Sequence, residues 1–253
     1  MRAGDVVQVA EGVHFATGSN TNWVILVEGA DLTLIDAGYP GDADAVEASI
    51  RSIGHRPEAV RAILVTHAHV DHIGSIPRFL ARYDVPVYMD AREVPHARRA
   101  YLEQVTPAQI LANAWRPGVL PWAVHAVRTG GLTHVEVPQA RAFPSAGALD
   151  LPGRPVPVPT PGHTSGHCAY HLPAVGALVT GDTLVSAHPT SRLRGGQCLP
   201  AMFNHDGPGT VRALEELEGL AADLLLPGHG PAVRGPVRDR VAEARANAAR
   251  RRP

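Results

Sequence analysis

The sequence predicts an α/β chain in which sheets are covered by helices. Two observations lead there. Short strand patterns crowd residues 5–35, and strands and helices alternate from then on. Residues 5–9, 13–16, 22–28 and 31–35 are apolar-rich segments separated by Gly, Asn and Asp, which reads as an antiparallel meander. PGDADAVEASIRSIG (40–54) has an Asp-rich first turn, near-helical apolar spacing and a terminal Gly54, and is expected to be a helix. AILVT (62–66) is expected to be a buried strand, GSIPRFLARY (74–83) a short helix and VPVYMD (85–90) another strand.

Residues 91–147 change character. Helical stretches are expected around 91–104 and 107–114, then the Trp- and Pro-containing piece NAWRPGVLPWAVH, with no strand until 134–137. This region holds too few apolar residues for a core of its own, so it is expected to be a lid-like insertion over one face. Strands return at 155–159, 168–172, 176–180 and 223–226, with a helix at 210–220 before the last. Residues 236–253 mix Arg with Asp and Glu and are expected to form a surface tail helix. The whole of 1–253 then reads as a single domain. LTLIDAG (32–38) and ALVTGDT (177–183) also echo each other, each an apolar strand running out into Asp and Gly.

Composition narrows the function. The 253 residues are 45% hydrophobic and 19% charged, an ordinary globular balance that excludes disorder and coiled coil. A net charge of −1 supplies no field toward nucleic acid or an anionic membrane. Two cysteines, Cys168 and Cys198, cannot form a disulfide framework. No apolar run approaches the ~20 residues of a membrane span, and MRAGDVVQVAEGVHF lacks the apolar core of a secretory signal. A cytoplasmic protein acting on a small molecule is expected; the oligomeric state is left open. All 23 basic residues are Arg, which fits a GC-rich codon bias and weakens any single Arg as a sign of function.

The 14 histidines matter through their placement. THAHVDH (66–72) sets His67, His69, Asp71 and His72 directly after a buried strand. Two His at i and i+2 in a turn can face one ion, and the Asp and His beyond them fall where a helix begins, displaced toward a second. Three further apolar runs end in a ligand-type residue: VPVPTPGH at His163, ALVTGD at Asp182 and LLLPGH at His229. Pro-Gly-His alone is an ordinary turn; four such strand ends converging are a site. Asp36, ending LTLID, either supports a ligand or caps a turn. His167 either contacts a ligand's partner or packs in the core. Cys168 is read as a small apolar residue rather than a nucleophile, and His14, His55, His96, His125, His134 and His171 as surface or structural.

The ordered set LIDAG, HAHVDH, PGHTSGH, TGD and PGHG resembles the metallo-β-lactamase-fold hydrolases, glyoxalase II among them, over about residues 5–233. The resemblance implies a four-layered αββα sandwich with a dinuclear metal site at one edge of its sheets. His67, His69 and His163 would hold one metal, Asp71, His72 and His229 the other, and Asp182 would bridge them. Two zinc ions are implied, with iron or manganese as alternatives. A hydroxide shared by the metals would attack an ester or thioester carbonyl, with Asp71 orienting it. A lactonase or β-lactamase of the same superfamily is the alternative. An iron enzyme of the persulfide dioxygenase kind is the alternative of a different class.

For substrate contacts, His188, Arg192, Arg194 and His205 follow Asp182 and are expected at the mouth of the site. Residues 92–134 add five Arg against Glu93 and Glu103, and Trp115, Trp122, Met202 and Phe203 are available to cover an apolar portion. Either these arginines favour an anionic, carboxylate-bearing ester or thioester over a neutral lactone, or the lysine-free composition scattered Arg here and the aromatics anchor the lid.

Overall fold

The computed structural model describes residues 5–250. The chain opens with strands β1 (Asp5–Ala10), β2 (Val13–Thr17), β3 (Asn22–Glu28) and β4 (Asp31–Ile35), all antiparallel neighbours. Helix α1 (Ala43–Ser52) then crosses to β5 (Val60–Leu64), which pairs parallel with β4. Two short helices follow, α2 (Val70–Ile73) and α3 (Ile76–Leu80), before β6 (Val87–Met89). The region 91–147 contributes α4 (Val94–Ala97), α5 (Pro107–Ala112), α6 (Val119–Arg128) and β7 (Arg141–Ala142), the last closing a seven-stranded sheet in the order β1 to β7.

A second sheet is built from β8 (Val156–Pro159), β9 (Cys168–Leu172), β10 (Ala177–Gly181), β11 (Leu224–Pro227) and β12 (Val233–Arg234), ordered β12-β11-β10-β9-β8. Helices α7 (Gly207–Ala213), α8 (Glu215–Glu218) and α9 (Val237–Arg250) cover it. The β4/β5 and β10/β11 pairs are both parallel, so the two echoing segments, 32–38 and 177–183, lie in equivalent strands of the two sheets.

Strand alternation makes the four αββα layers. In β3, Trp23 and Ile25 face α1 with Val46 and Ile50, while Val24 and Leu26 face the other sheet. In β10, Val179 meets the first sheet, whereas Leu178 turns outward to Leu214, Leu217 and Val241. Each sheet is therefore apolar on both faces, which is why its strands are near-continuous apolar runs.

Two local expectations fail. Residues 134–137 are not a strand: Val135 and Val137 are buried in alternation, but Val137 N–H donates to the Ala97 carbonyl rather than to a sheet, and β7 takes the sheet edge instead. The piece NAWRPGVLPWAVH runs into a regular ten-residue helix, α6, which begins within it at Val119. Pro121 does not break it, because it sits in the first turn, where no intrahelical N–H is required. Of the expected tail helix, residues 251–253 lie outside the described residues. Among the described residues no helix is long and apolar enough to cross a membrane.

Candidate metal centre and its cavity

The ligand-type residues gather at the ends of β5, β8, β10 and β11. Three groups of donor atoms lie within 4.8 Å of one another: His67, His69 and His163; His67, His72 and Asp182; and Asp71, His72 and His229. All seven residues expected from the motifs are thus brought together.

The hydrogen bonds on the outer side of each imidazole fix what its inner nitrogen is. Thr66 Oγ1 donates to Asp36 Oδ2 (2.7 Å) and so accepts from His67 Nδ1 (3.0 Å). Asn204 donates through Nδ2 to the Leu199 carbonyl, leaving its Oδ1 to accept from His163 Nδ1 (3.0 Å). His69 Nε2 donates to the Glu103 carbonyl, His72 Nδ1 to Asp36 Oδ2 (2.8 Å) and His229 Nδ1 to the Asn20 carbonyl. In the neutral ring the second nitrogen is then a bare lone pair. His67 Nε2, His69 Nδ1 and His163 Nε2 face one another at 3.0 to 3.2 Å with no proton to share. His72 Nε2 and Asp182 Oδ1 are buried with no hydrogen-bond partner. Converging lone pairs and carboxylates without donors are the chemistry of a cation site, and these residues fit two ions.

Asp182 stands between the groups. Its Oδ2 is 3.1 Å from His229 Nε2 and 3.5 Å from His163 Nε2, and its Oδ1 is 3.4 Å from His72 Nε2. Asp71 Oδ2 lies 3.4 Å from His229 Nε2. Tight backbone sets this spacing: a Cβ on Gly228 would fall 2.3 Å from Asp182 Oδ1 and 2.9 Å from the His72 ring.

Charge divides the centre into two halves. Burial, aided by neighbouring imidazoles, holds His67 and His69 well below the usual histidine range, so the three-histidine group is neutral. On the other side burial is overcome: Asp182 and Asp36 raise His72, and Asp182 and Asp71 push His229 up to about 10. Asp71 and Asp182 are held well below the ordinary carboxylate range by His72 and His229. Positive charge is called for at this half, and a cation held there would supply it in place of protons.

Other residues support the ligands, and Glu93 and His96 among them lie outside the quoted motifs. Glu93 is fully buried and accepts from Ala68 N–H (2.7 Å), His96 Nδ1 (2.7 Å), Thr164 Oγ1 (2.8 Å) and Gly166 N–H (3.1 Å), tying the His67–His69 loop to the His163 loop. His96, expected to be surface or structural, is a buried structural residue: its Nε2 accepts from the Glu103 N–H, whose carbonyl receives His69. His167 accepts the Asp182 N–H (3.1 Å) through Nε2, so it positions Asp182 as an acceptor. Asp36 supports a ligand rather than merely capping a turn. Cys168 is buried, and burial pushes its thiol far up, as suits an inert apolar residue.

Above the centre lies a cavity with Asp71, His163, Asp182 and His229 in its floor. Its wall is a separate apolar cluster in which Trp122 of α6 packs on Val185, Leu199 and Phe203. His188 also lines it, with its ring 4.9 Å from that of His229 and 5.1 Å from that of Phe203. Its Nδ1 accepts from Thr190 N–H (3.3 Å) and Oγ1 (2.7 Å), so the neutral ring carries its proton on Nε2; burial pushes its pKa down to about 3. Tyr39, three residues beyond Asp36, lines the cavity too, and burial, then Asp71 and Asp182, keeps its hydroxyl protonated.

The other expected substrate residues are placed elsewhere. Arg192 and Arg194 are exposed and do not line this cavity; Arg194 instead borders an adjoining groove that shares His188 and His229 with it. His205 is also outside the cavity, its half-exposed ring 3.5 Å from Glu103; its neighbour Asn204 is the residue that reaches the centre. Trp115 is 78% exposed and takes no part in the wall.

Comparison with known proteins gives the following. A family model described as the metallo-beta-lactamase superfamily matches residues 16–229. The probable metallo-hydrolase YflN of Bacillus subtilis (strain 168) is 29% identical over 244 residues, 91% of this chain and 88% of that protein. A hydroxyacylglutathione hydrolase of Alkalilimnicola ehrlichii is 34% identical over 164 residues, 64% of this chain but only 47% of its own length. Among solved structures, a Cronobacter sakazakii metallo-beta-lactamase superposes with a TM-score of 0.64 at 19% identity, covering 99% of this chain and 85% of that one, a likeness of fold. A metallo-beta-lactamase family protein of Thermus thermophilus gives 0.61 at 25% identity, covering 91% and 75%.

Proposed function

The chain belongs to the metallo-beta-lactamase superfamily, and from that premise we propose that it is a two-metal hydrolase of a small ester or thioester. The observation that carries this reading is the set of five histidines whose outer nitrogens all donate to fixed acceptors while their inner nitrogens converge beside Asp71 and Asp182. His67, His69 and His163 would hold one cation, Asp71, His72 and His229 the other, and Asp182 would span both. A nitrogen-rich group beside a nitrogen-and-oxygen group suits zinc, with iron and manganese as alternatives. The whole chain is read as one domain, with 91–147 as its lid.

When bound, two such ions acidify water and polarise a carbonyl. The chain's own residues do the rest. Asp71 accepts a hydrogen bond from the attacking water and orients it as the water's oxygen bonds to the acyl carbon. His188 donates its Nε2–H to the carbonyl oxygen as charge develops there. The bond to the leaving oxygen or sulfur breaks, the proton given up by the attacking water passes to it, and a carboxylic acid and an alcohol or thiol leave. Tyr39, kept protonated, offers a second donor on the same wall. Lactone opening follows the same steps. The relative named hydroxyacylglutathione hydrolase supports an acyl-transfer substrate of the thioester kind.

The test is elemental analysis of protein purified without chelator, followed by a panel of thioesters, esters, lactones and β-lactams with oxygen uptake recorded in parallel. Two zinc ions per chain and turnover of an ester or thioester without oxygen uptake are expected. One iron per chain with oxygen consumption would replace this reading by the dioxygenase one.

A further inference from the structure

The cavity wall differs in chemistry from its floor. Trp122, Ala123, Ala126 and Val127 line it from α6, Ile110 from α5, and Phe203 where it packs on Trp122. Among the described residues no Arg lines it, and its only carboxylates are Asp71 and Asp182 in the floor. The Trp122 and Phe203 rings pack edge to face at 5.0 Å, which holds the wall in shape. Val127 and Leu132 line the cavity while 52% and 71% exposed, so it opens to the surface across an apolar rim.

A charged group carried along this wall would lose its water and meet no counter-charge above the floor. An aliphatic or aromatic arm would instead displace water from apolar surface. Resting on the hydrolase reading of the floor, we propose that the substrate is an uncharged ester or thioester whose apolar arm lies against Trp122, Ala123 and Ile110. The reacting carbonyl then sits at the floor beside His188 and Asp71. This proposal departs from the expectation of an anionic substrate, since neither Arg192 nor Arg194 lines this cavity and Arg194 borders the adjoining groove instead.

The test compares three para-nitrophenyl esters on metal-loaded protein: acetate, hexanoate and the monoester of adipic acid. Hexanoate should exceed acetate in kcat/KM by at least about tenfold and the carboxylate-bearing adipate by roughly tenfold or more. Ala123→Phe fills the wall and should shrink the hexanoate-to-acetate ratio by about tenfold. A second arm needs no turnover: quenching of Trp122 fluorescence by hexanamide and by adipamate, with Trp122→Phe to identify the signal. Hexanamide should bind at least about tenfold more tightly. Preference for adipate or adipamate, or acetate and hexanoate being equal, would overturn the proposal and leave the hydrolase reading standing. If no ester is cleaved but hexanamide still binds preferentially, the hydrolase reading fails and the apolar site stands.

Discussion

Asp36 Oδ2 accepts the Nδ1–H of His72 at 2.8 Å, from a backbone held in the left-handed region at φ 62°. Asp is among the few residues that adopt this conformation readily. The same carboxylate takes the N–H of Thr66 (2.8 Å) and its hydroxyl (2.7 Å), and that hydroxyl oxygen takes the Nδ1–H of His67. One buried side chain at the end of β4 therefore orients a histidine in each half of the centre.

Asp36→Asn keeps the shape but replaces one accepting oxygen with a donor facing donors. Metal affinity should fall by about 10–100-fold, the usual loss when a ligand's hydrogen-bond partner goes. Competition with a chelator would measure it, with circular dichroism to confirm the fold. Unchanged affinity would mean that Asp36 serves the backbone alone.

Glu93 joins the insertion to both histidine loops of the neutral half, through Ala68 N–H and Thr164 Oγ1. Glu93→Ala would strand four buried donors. A loss of about 3 kcal/mol is expected, or roughly 6–12 °C in Tm for a chain of this size. Metal content should fall too, since Ala68 sits between His67 and His69. A Tm unchanged in thermal denaturation would show that water replaces the carboxylate at no cost.

Asp182 reaches His163 on one side and His72 and His229 on the other. Removing it takes negative charge from between two would-be cations, so Asp182→Ala should lose metal from both positions and nearly all turnover. His188→Ala touches no inner nitrogen of the cluster and should retain close to the parent metal content. Elemental analysis of the two variants side by side decides the matter: equal losses would remove Asp182 from its spanning role.

The centre was legible because its residues follow strand ends in contiguous motifs. HAHVDH needs only the end of β5 to place four of the seven residues, and Gly before His163, Asp182 and His229 announces the turns that aim the rest. Glu93, His96 and Asn204 were not legible: each reaches the centre only through tertiary packing, from segments with no ligand motif. Tyr39 lay beside a quoted motif, yet nothing in its spacing shows that a tyrosine three residues past Asp36 turns into a cavity. In α6, turn-forming Pro and Gly masked a helix whose proline falls in the first turn. Net charge along the loop could not tell that Arg192 and Arg194 are absent from the cavity lining while Arg194 borders the adjoining groove with His188 and His229.

His188 gives the sharpest mechanistic test. Thr190 donates twice to its Nδ1, so its Nε2 carries the proton, and the residue lines the cavity with Trp122 and Phe203. With a pKa pushed down to about 3, it is neutral at every pH where the protein would be assayed. It can therefore donate a hydrogen bond to a carbonyl oxygen but contributes no ionisation to the pH profile. His188→Phe should lower kcat by about 10²–10³-fold, the typical cost of a lost oxyanion donor, with little change in KM. His188→Gln restores an N–H donor and should recover part of the loss. The kcat profile from pH 5 to 9 should keep its shape in both variants, because the lost group does not titrate there. If a limb of that profile disappears with His188, the residue is acting as a proton carrier and the neutral-donor role is wrong.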